Sequence, residues 1–146
     1  MSSTFFTDVK NALEGDVSIV PQNYSTAGTK TGAAVDMQLS DGPVHALVMT
    51  GDGGDADTNW YVKLQESDAS AGTYTDIDGS TSSTYTGATA GDSLFFATST
   101  NKRTLRYVRA VVVIATTGTA DVDIAVAVLG RKKILGSGAG NYTTVT

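Results

Sequence analysis

The chain has no cysteine, one histidine, one tryptophan and two prolines in 146 residues. Without cysteine there can be no disulfide, no thiolate metal site and no cysteine nucleophile. That fits a protein made in a reducing cytosol, and also the many bacterial and viral extracellular proteins that lack cysteine. The lone histidine, His45, falls within a strand-like run, with no second histidine or serine motif to work with, so it reads as structural or solvated. No G-x-S-x-G, H-E-x-x-H, P-loop or G-x-G-x-x-G pattern occurs, and the sequence predicts no enzymatic activity. The run Gly136-Ser137-Gly138-Ala139-Gly140 lacks the preceding strand and following helix of a phosphate loop. Charged residues are only 17% of the chain, and Leu and Glu, the usual material of surface helices, are scarce. No apolar run approaches the length of a membrane span. The opening MSSTFFTDVKNALEG has no basic region and no long apolar run, so it does not read as a secretory signal. Without such a signal, Asn23-Tyr24-Ser25 and Asn141-Tyr142-Thr143 carry no weight as glycosylation acceptors.

What is abundant is Gly, Thr, Ser, Val and Ala, arranged as short alternating runs between glycine-marked turns. This composition predicts an all-β sandwich or barrel. At 146 residues, one domain can bury roughly 70% of its unfolded surface and needs no staple. The fold should be organised around Leu105–Arg131. Leu105–Ala115 is dominated by Val, Ile and Tyr, which suit a pleated, half-buried surface. Ala120–Leu129 alternates strictly, with Val122, Ile124, Val126 and Val128 on one face and Asp121, Asp123, Ala125 and Ala127 on the other. Thr116-Thr117-Gly118-Thr119 between them predicts a hairpin loop.

In chain order, residues 3–14 are the one credible helix, with Phe5, Val9 and Leu13 on one face. Twelve residues is marginal in isolation, so this arm must dock on its own domain or on a neighbour. A short strand from Asp16 to Val20 ends at Pro21. Gln22–Gly32 reads as a polar loop and Ala33–Ser40 as a strand. Ser40-Asp41-Gly42-Pro43 reads as a turn. Strands follow at Val44–Thr50, Trp60–Glu66 and Tyr74–Ile77. The Ser/Thr/Gly stretch Asp78–Asp92 reads as a crossing between sheets, and Leu94–Thr98 as a strand. These about eight strands, with long crossings between short hairpins, favour a Greek-key or jelly-roll sandwich. Its core should contain Trp60, Val62, Leu64, Val108, Val112, Val122, Ile124, Val126 and Val128. The expected division is an N-terminal arm (1–15), a sandwich domain (16–133) and a flexible tail (134–146), glycine-rich and unable to bury enough surface to order alone.

Charge is uneven. Residues 1–99 carry three Lys against thirteen Asp or Glu, and residues 100–146 carry seven Lys or Arg against two Asp. Pairing within one domain or across a subunit contact accounts for this. Lys102, Arg103, Arg106 and Arg109 could contact phosphate, but the acidic remainder repels nucleic acid, and pairing with carboxylates is the expected role. Asp52, Asp55 and Asp57 lie in a glycine-rich loop that could hold a hard cation. The spacing is not that of an EF-hand, so the loop reads as a solvated turn. No metal or cofactor is expected.

Four stretches in order carry a resemblance: Leu64-Gln65-Glu66-Ser67-Asp68, Thr73-Tyr74-Thr75-Asp76-Ile77, Arg106-Tyr107-Val108-Arg109 with its apolar run, and Val126-Ala127-Val128-Leu129-Gly130-Arg131. Together, over roughly residues 33–133, they resemble small structural proteins of tailed bacteriophages, among them capsid decoration or cement proteins. Ala69-Ser70-Ala71-Gly72 departs from the tight Asp-Gly turn common in such proteins, and both terminal segments lie outside the resemblance. The resemblance implies a jelly-roll subunit, usually trimeric, on the capsid exterior. Made in the host cytoplasm, it would bridge neighbouring major capsid proteins, with no nucleic-acid or membrane partner. Another phage structural role, such as a tail component, is an alternative. So is a carbohydrate-binding sandwich using Trp60, Tyr61, Tyr74 or Tyr85. Expected partner-binding residues are Phe5, Phe6, Val9, Leu13, Lys132 and Lys133. Both faces of the strand beyond Arg109 are apolar, so Val111 and Val113 are expected to meet a neighbouring subunit.

Overall fold

Alternating side chains decide the fold, because each strand has one face fit for a core. The computed structural model describes residues 13–87, 93–100 and 103–133. They form ten strands: β1 (Leu13–Tyr24), β2 (Gly28–Thr31), β3 (Val35–Asp36), β4 (Ser40–Gly53), β5 (Asn59–Ser67), β6 (Thr75–Asp76), β7 (Tyr85–Thr86), β8 (Ser93–Thr100), β9 (Tyr107–Ala115) and β10 (Val122–Lys132). Sheet A runs β1-β10-β4-β8. Sheet B runs β2-β9-β5-β6, with β3 also on β9 and β7 also on β5. Every pairing is antiparallel.

β2 and β3 share one partner, and so do β6 and β7, so the ten strands act as eight arms. The first arm pairs with the last, the second with the seventh, the third with the sixth and the fourth with the fifth. A chain folded back on itself in this way and rolled into two sheets is a jelly-roll sandwich. Its core lies between the sheets. All nine core residues expected from the sequence are at most 2% exposed, joined by Ile19, Met37, Val44, Val48 and Ile114. Each such aliphatic side chain contributes about 1.5–3 kcal/mol on burial.

β9 and β10 do not form a hairpin. They lie in different sheets, and residues 116–121 cross from sheet B to sheet A. The buried face of β9 (Val108, Ala110, Val112, Ile114) and that of β10 (Val122, Ile124, Val126, Val128) are the inner faces of opposite sheets. Alternation says that a face is covered but not which strand lies alongside. The crossing is held by Ala120 N–H donating to Ser25 O (3.1 Å) and by a Thr58–Thr116 hydroxyl contact at 3.2 Å. It enters β10 through Asp121 at φ 49°, a left-handed conformation that Asp tolerates better than most residues.

Other boundaries shift for local reasons. Residues 13 and 14 are strand rather than helix, so they belong to the sandwich and not to the arm; the rest of the expected helix lies outside the described residues. The expected loop Gln22–Gly32 holds the end of β1 and all of β2, while the strand expected at Ala33–Ser40 shrinks to Val35–Asp36. Ser40-Asp41-Gly42-Pro43 is a bulge inside β4, not a turn: Val44 pairs with Gly130 but Asp41 with Arg131. Gly42 at φ 81° absorbs the extra residues. Asp78–Gly87 stays on sheet B instead of crossing. Ser80 Oγ accepts Leu64 N–H (3.1 Å) and donates to Leu64 O (3.0 Å), and Ser82 Oγ accepts Val62 N–H (3.0 Å). These serines stand in for a strand beside β5.

Candidate functional site

The two sheets differ on their outer faces. On sheet B the outward side chains of β5 and β9 include Lys63, Gln65 and Arg109, which are tied into one polar network beside Val111 and Val113. Lys63 pairs with Asp76 at 2.7 Å, and Gln65 donates to the same carboxylate at 2.7 Å. Both hold the Asp76 carboxyl below its usual range, Lys63 most. Arg109 donates twice to Gln65 Oε1 (2.9 and 2.7 Å) and lies 4.0 Å from the centre of the Tyr74 ring. At the sheet end, Arg106 and Asp36 form a two-pronged pair at 2.9 and 2.6 Å, which lowers the Asp36 carboxyl. Arg106 therefore pairs with a carboxylate as expected, whereas Arg109 is held by an amide and an aromatic ring.

Val111, on this face, is flanked in register by Thr31 and Lys63 and is only 1% exposed. Its own subunit covers it, so the need for a neighbour at Val111 falls away. Val113 is half-buried.

The outer face of sheet A is apolar across β1, β10 and β4. Three rows cross it in register: Gly15–Leu129–His45, Val17–Ala127–Leu47, and Ala125–Met49 on the two inner strands. Leu13 is 43% exposed, Val17 45% and Met49 54%, and Val20 on the β1 bulge 61%. Charge stands at the ends of this face. Arg131 lies opposite Leu13, and at the far end Asn23 donates to Asp121 (2.8 Å) and Asp123 (3.0 Å). A hollow of about 600 Å³ opens at the first end between Leu13, Pro43, His45, Leu129, Gly130 and Arg131. Another, of about 500 Å³, lies at the other end, between Pro21, Asn23, Met49, Asp123 and Ala125 among others.

Of the expected partner-binding residues, Leu13 is at the rim of the first hollow, Lys132 is half-buried and Lys133 exposed. Phe5, Phe6 and Val9 lie outside the described residues. Val17, Val20, Leu47 and Met49 were missed. Leu47 and Met49 carry a signal in Val44–Thr50, which is apolar on both faces, whereas Val17 and Val20 carry none of their own.

The acidic loop is built into the crossing. Thr117 donates its hydroxyl to Asp57, which lowers that carboxyl, and Asp55 is exposed. Among the described residues, no group of three or more His, Asp or Glu is placed to hold a metal ion. Of the four aromatic residues considered for sugar stacking, Trp60 is buried in the core, with Tyr85 against it at 4.7 Å between centroids. Tyr61 and Tyr74 are half-buried. In comparisons with known proteins, no family model matches this chain and no curated protein matches it.

Proposed function

We propose that this chain is a virion structural protein: a decoration subunit that binds the outside of a phage head as a homotrimer and ties neighbouring major capsid proteins together. One observation carries the reading. A jelly-roll domain carries internally paired charges on the outer face of one sheet and, on the opposite sheet, an apolar face with Val17, Val20 and Met49 open to solvent. A one-sided adhesive surface of this kind marks an interaction site. Ordered resemblance to phage structural proteins over residues 33–133 supplies the partner. A ring about a three-fold axis closes a subunit contact without leaving an adhesive edge. Three copies also multiply weak shell contacts through effective concentration.

The test is to purify heads and tails separately and measure this protein on each. It should be stoichiometric on heads, sediment as a trimer when released, and raise the tolerance of heads to heat and chelators. Met49→Asp should fold and lose head binding. Recovery on tails would assign another virion role, and a monomer that leaves head stability unchanged would end the decoration reading. A carbohydrate-binding role is the weaker alternative, because Trp60 and Tyr85 are spent on each other and on the core.

A further inference from the structure

We infer that residues 1–12 fold back onto their own domain and fill the hollow beside Leu13 on the outer face of sheet A. This step does not depend on the proposed function. Three observations support it. First, the segment joins the domain at the hollow itself, because Leu13 is both the first residue of β1 and part of the hollow's rim. Second, the lengths match. A reversal takes a few residues, which leaves about eight, spanning roughly 26 Å if extended or roughly 12 Å if helical. Either reaches across β1 to β10 and β4, whose strands are spaced at about 4.8 Å.

Third, the chemistry matches. The segment carries Phe5, Phe6 and Val9, and the hollow is walled by Leu13, Pro43 and Leu129. Asp8, beside Val9, is opposite in charge to Arg131 at the hollow's edge. Because the segment is tethered, its local concentration at the hollow is far above that of any free partner. The Val20 and Met49 end of the face stays open.

Because the chain has no cysteine, Thr7→Cys gives a unique site for a nitroxide. In nitrogen-15-labelled, spin-labelled protein, the amide signals of Val44, His45, Leu129 and Gly130 should lose intensity. They should keep it in a mixture of spin-labelled unlabelled chains with isotope-labelled chains lacking the nitroxide. Adding Phe5→Ser and Phe6→Ser should restore the signals and leave the sandwich spectrum in place. Broadening in the mixture would give the hollow to a second copy's segment and overturn the inference. Unbroadened signals at these four residues, or broadening that survives Phe5→Ser/Phe6→Ser, would also overturn it.

Discussion

The Glu66 carboxylate holds Thr104 twice: Oε2 accepts its backbone N–H at 2.7 Å and Oε1 accepts its hydroxyl at 2.9 Å. Oε2 also accepts the N–H of Leu105 at 2.9 Å. Glu66 is 8% exposed, so this clamp fixes the entry to β9 from inside the protein. Glu66→Gln puts an amide where one of these donors points. It should cost about 1.5–3 kcal/mol, read as a lower urea midpoint with unchanged slope. A midpoint equal to wild type would mean the clamp is ornamental.

Val126 lies at the centre of β10, between Ile19 on β1 and Val48 on β4, and is fully buried. Val126→Asp places an unpaired charge there at a cost of several kcal/mol, roughly the whole stability of a domain. The variant should be recovered only as unfolded or aggregated protein. A soluble variant that unfolds cooperatively would contradict this core assignment.

Gly87 is buried, and its N–H donates to Thr58 O at 2.8 Å. A Cβ at this position would press on the carbonyl oxygens of Asp55 and Gly54. Backbone atoms cannot swing aside as a side chain can, so Gly87→Ala should destabilise by about 1–3 kcal/mol. Gly79→Ala meets nothing nearby, but Gly79 has φ 75°, so its cost should be confined to backbone strain of about 1–2 kcal/mol. Thermal melts of both variants separate crowding from strain.

Acid should weaken the protein below about pH 4. Arg106 lowers the Asp36 carboxyl, Lys63 and Gln65 lower Asp76, and the Thr117 hydroxyl lowers Asp57. Each therefore binds a proton more readily in the unfolded chain, where carboxylates titrate near 4. The stability these contacts give is present above that value and is lost as pH falls through the lower folded-state values. These carboxylates are solvent-exposed, so the loss should be gradual. Denaturant midpoints measured from pH 7 to pH 2 should fall only at the acid end. The double variant Asp36→Asn/Asp76→Asn should flatten that fall.

Strand identity was readable where one face is buried and the other is not. β5, β9 and β10 keep that contrast, and every core residue expected on them is buried. Partnership was not readable. Thr116-Thr117-Gly118-Thr119 has hairpin composition, yet it spans the gap between sheets, because a turn residue permits a bend without choosing its partner strand. Ser80 and Ser82 look like linker and serve as strand surrogates, since a hydroxyl can both accept and donate beside a peptide. Val44–Thr50 is apolar on both faces, but the extent of the apolar outer face of sheet A was not readable, for a similar reason. Val17, Leu47 and Met49 come from strands separated in sequence, and only the register of β1, β10 and β4 joins them.

That register also orders events during synthesis. Among the described strands β10 is the last made, and it joins β1 to β4. Until Lys132 has left the ribosome, β1 has no neighbour in its sheet among the described strands. Pairing of Leu13 with Arg131 closes a loop of nearly the whole domain, the kind of distant contact that slows folding. A growing chain therefore carries unpaired apolar edges through most of translation, at about 5–20 residues per second. A stall just before β10 is made should leave a chain more prone to aggregation than an earlier stall, because more strand edge is exposed with nothing to close it.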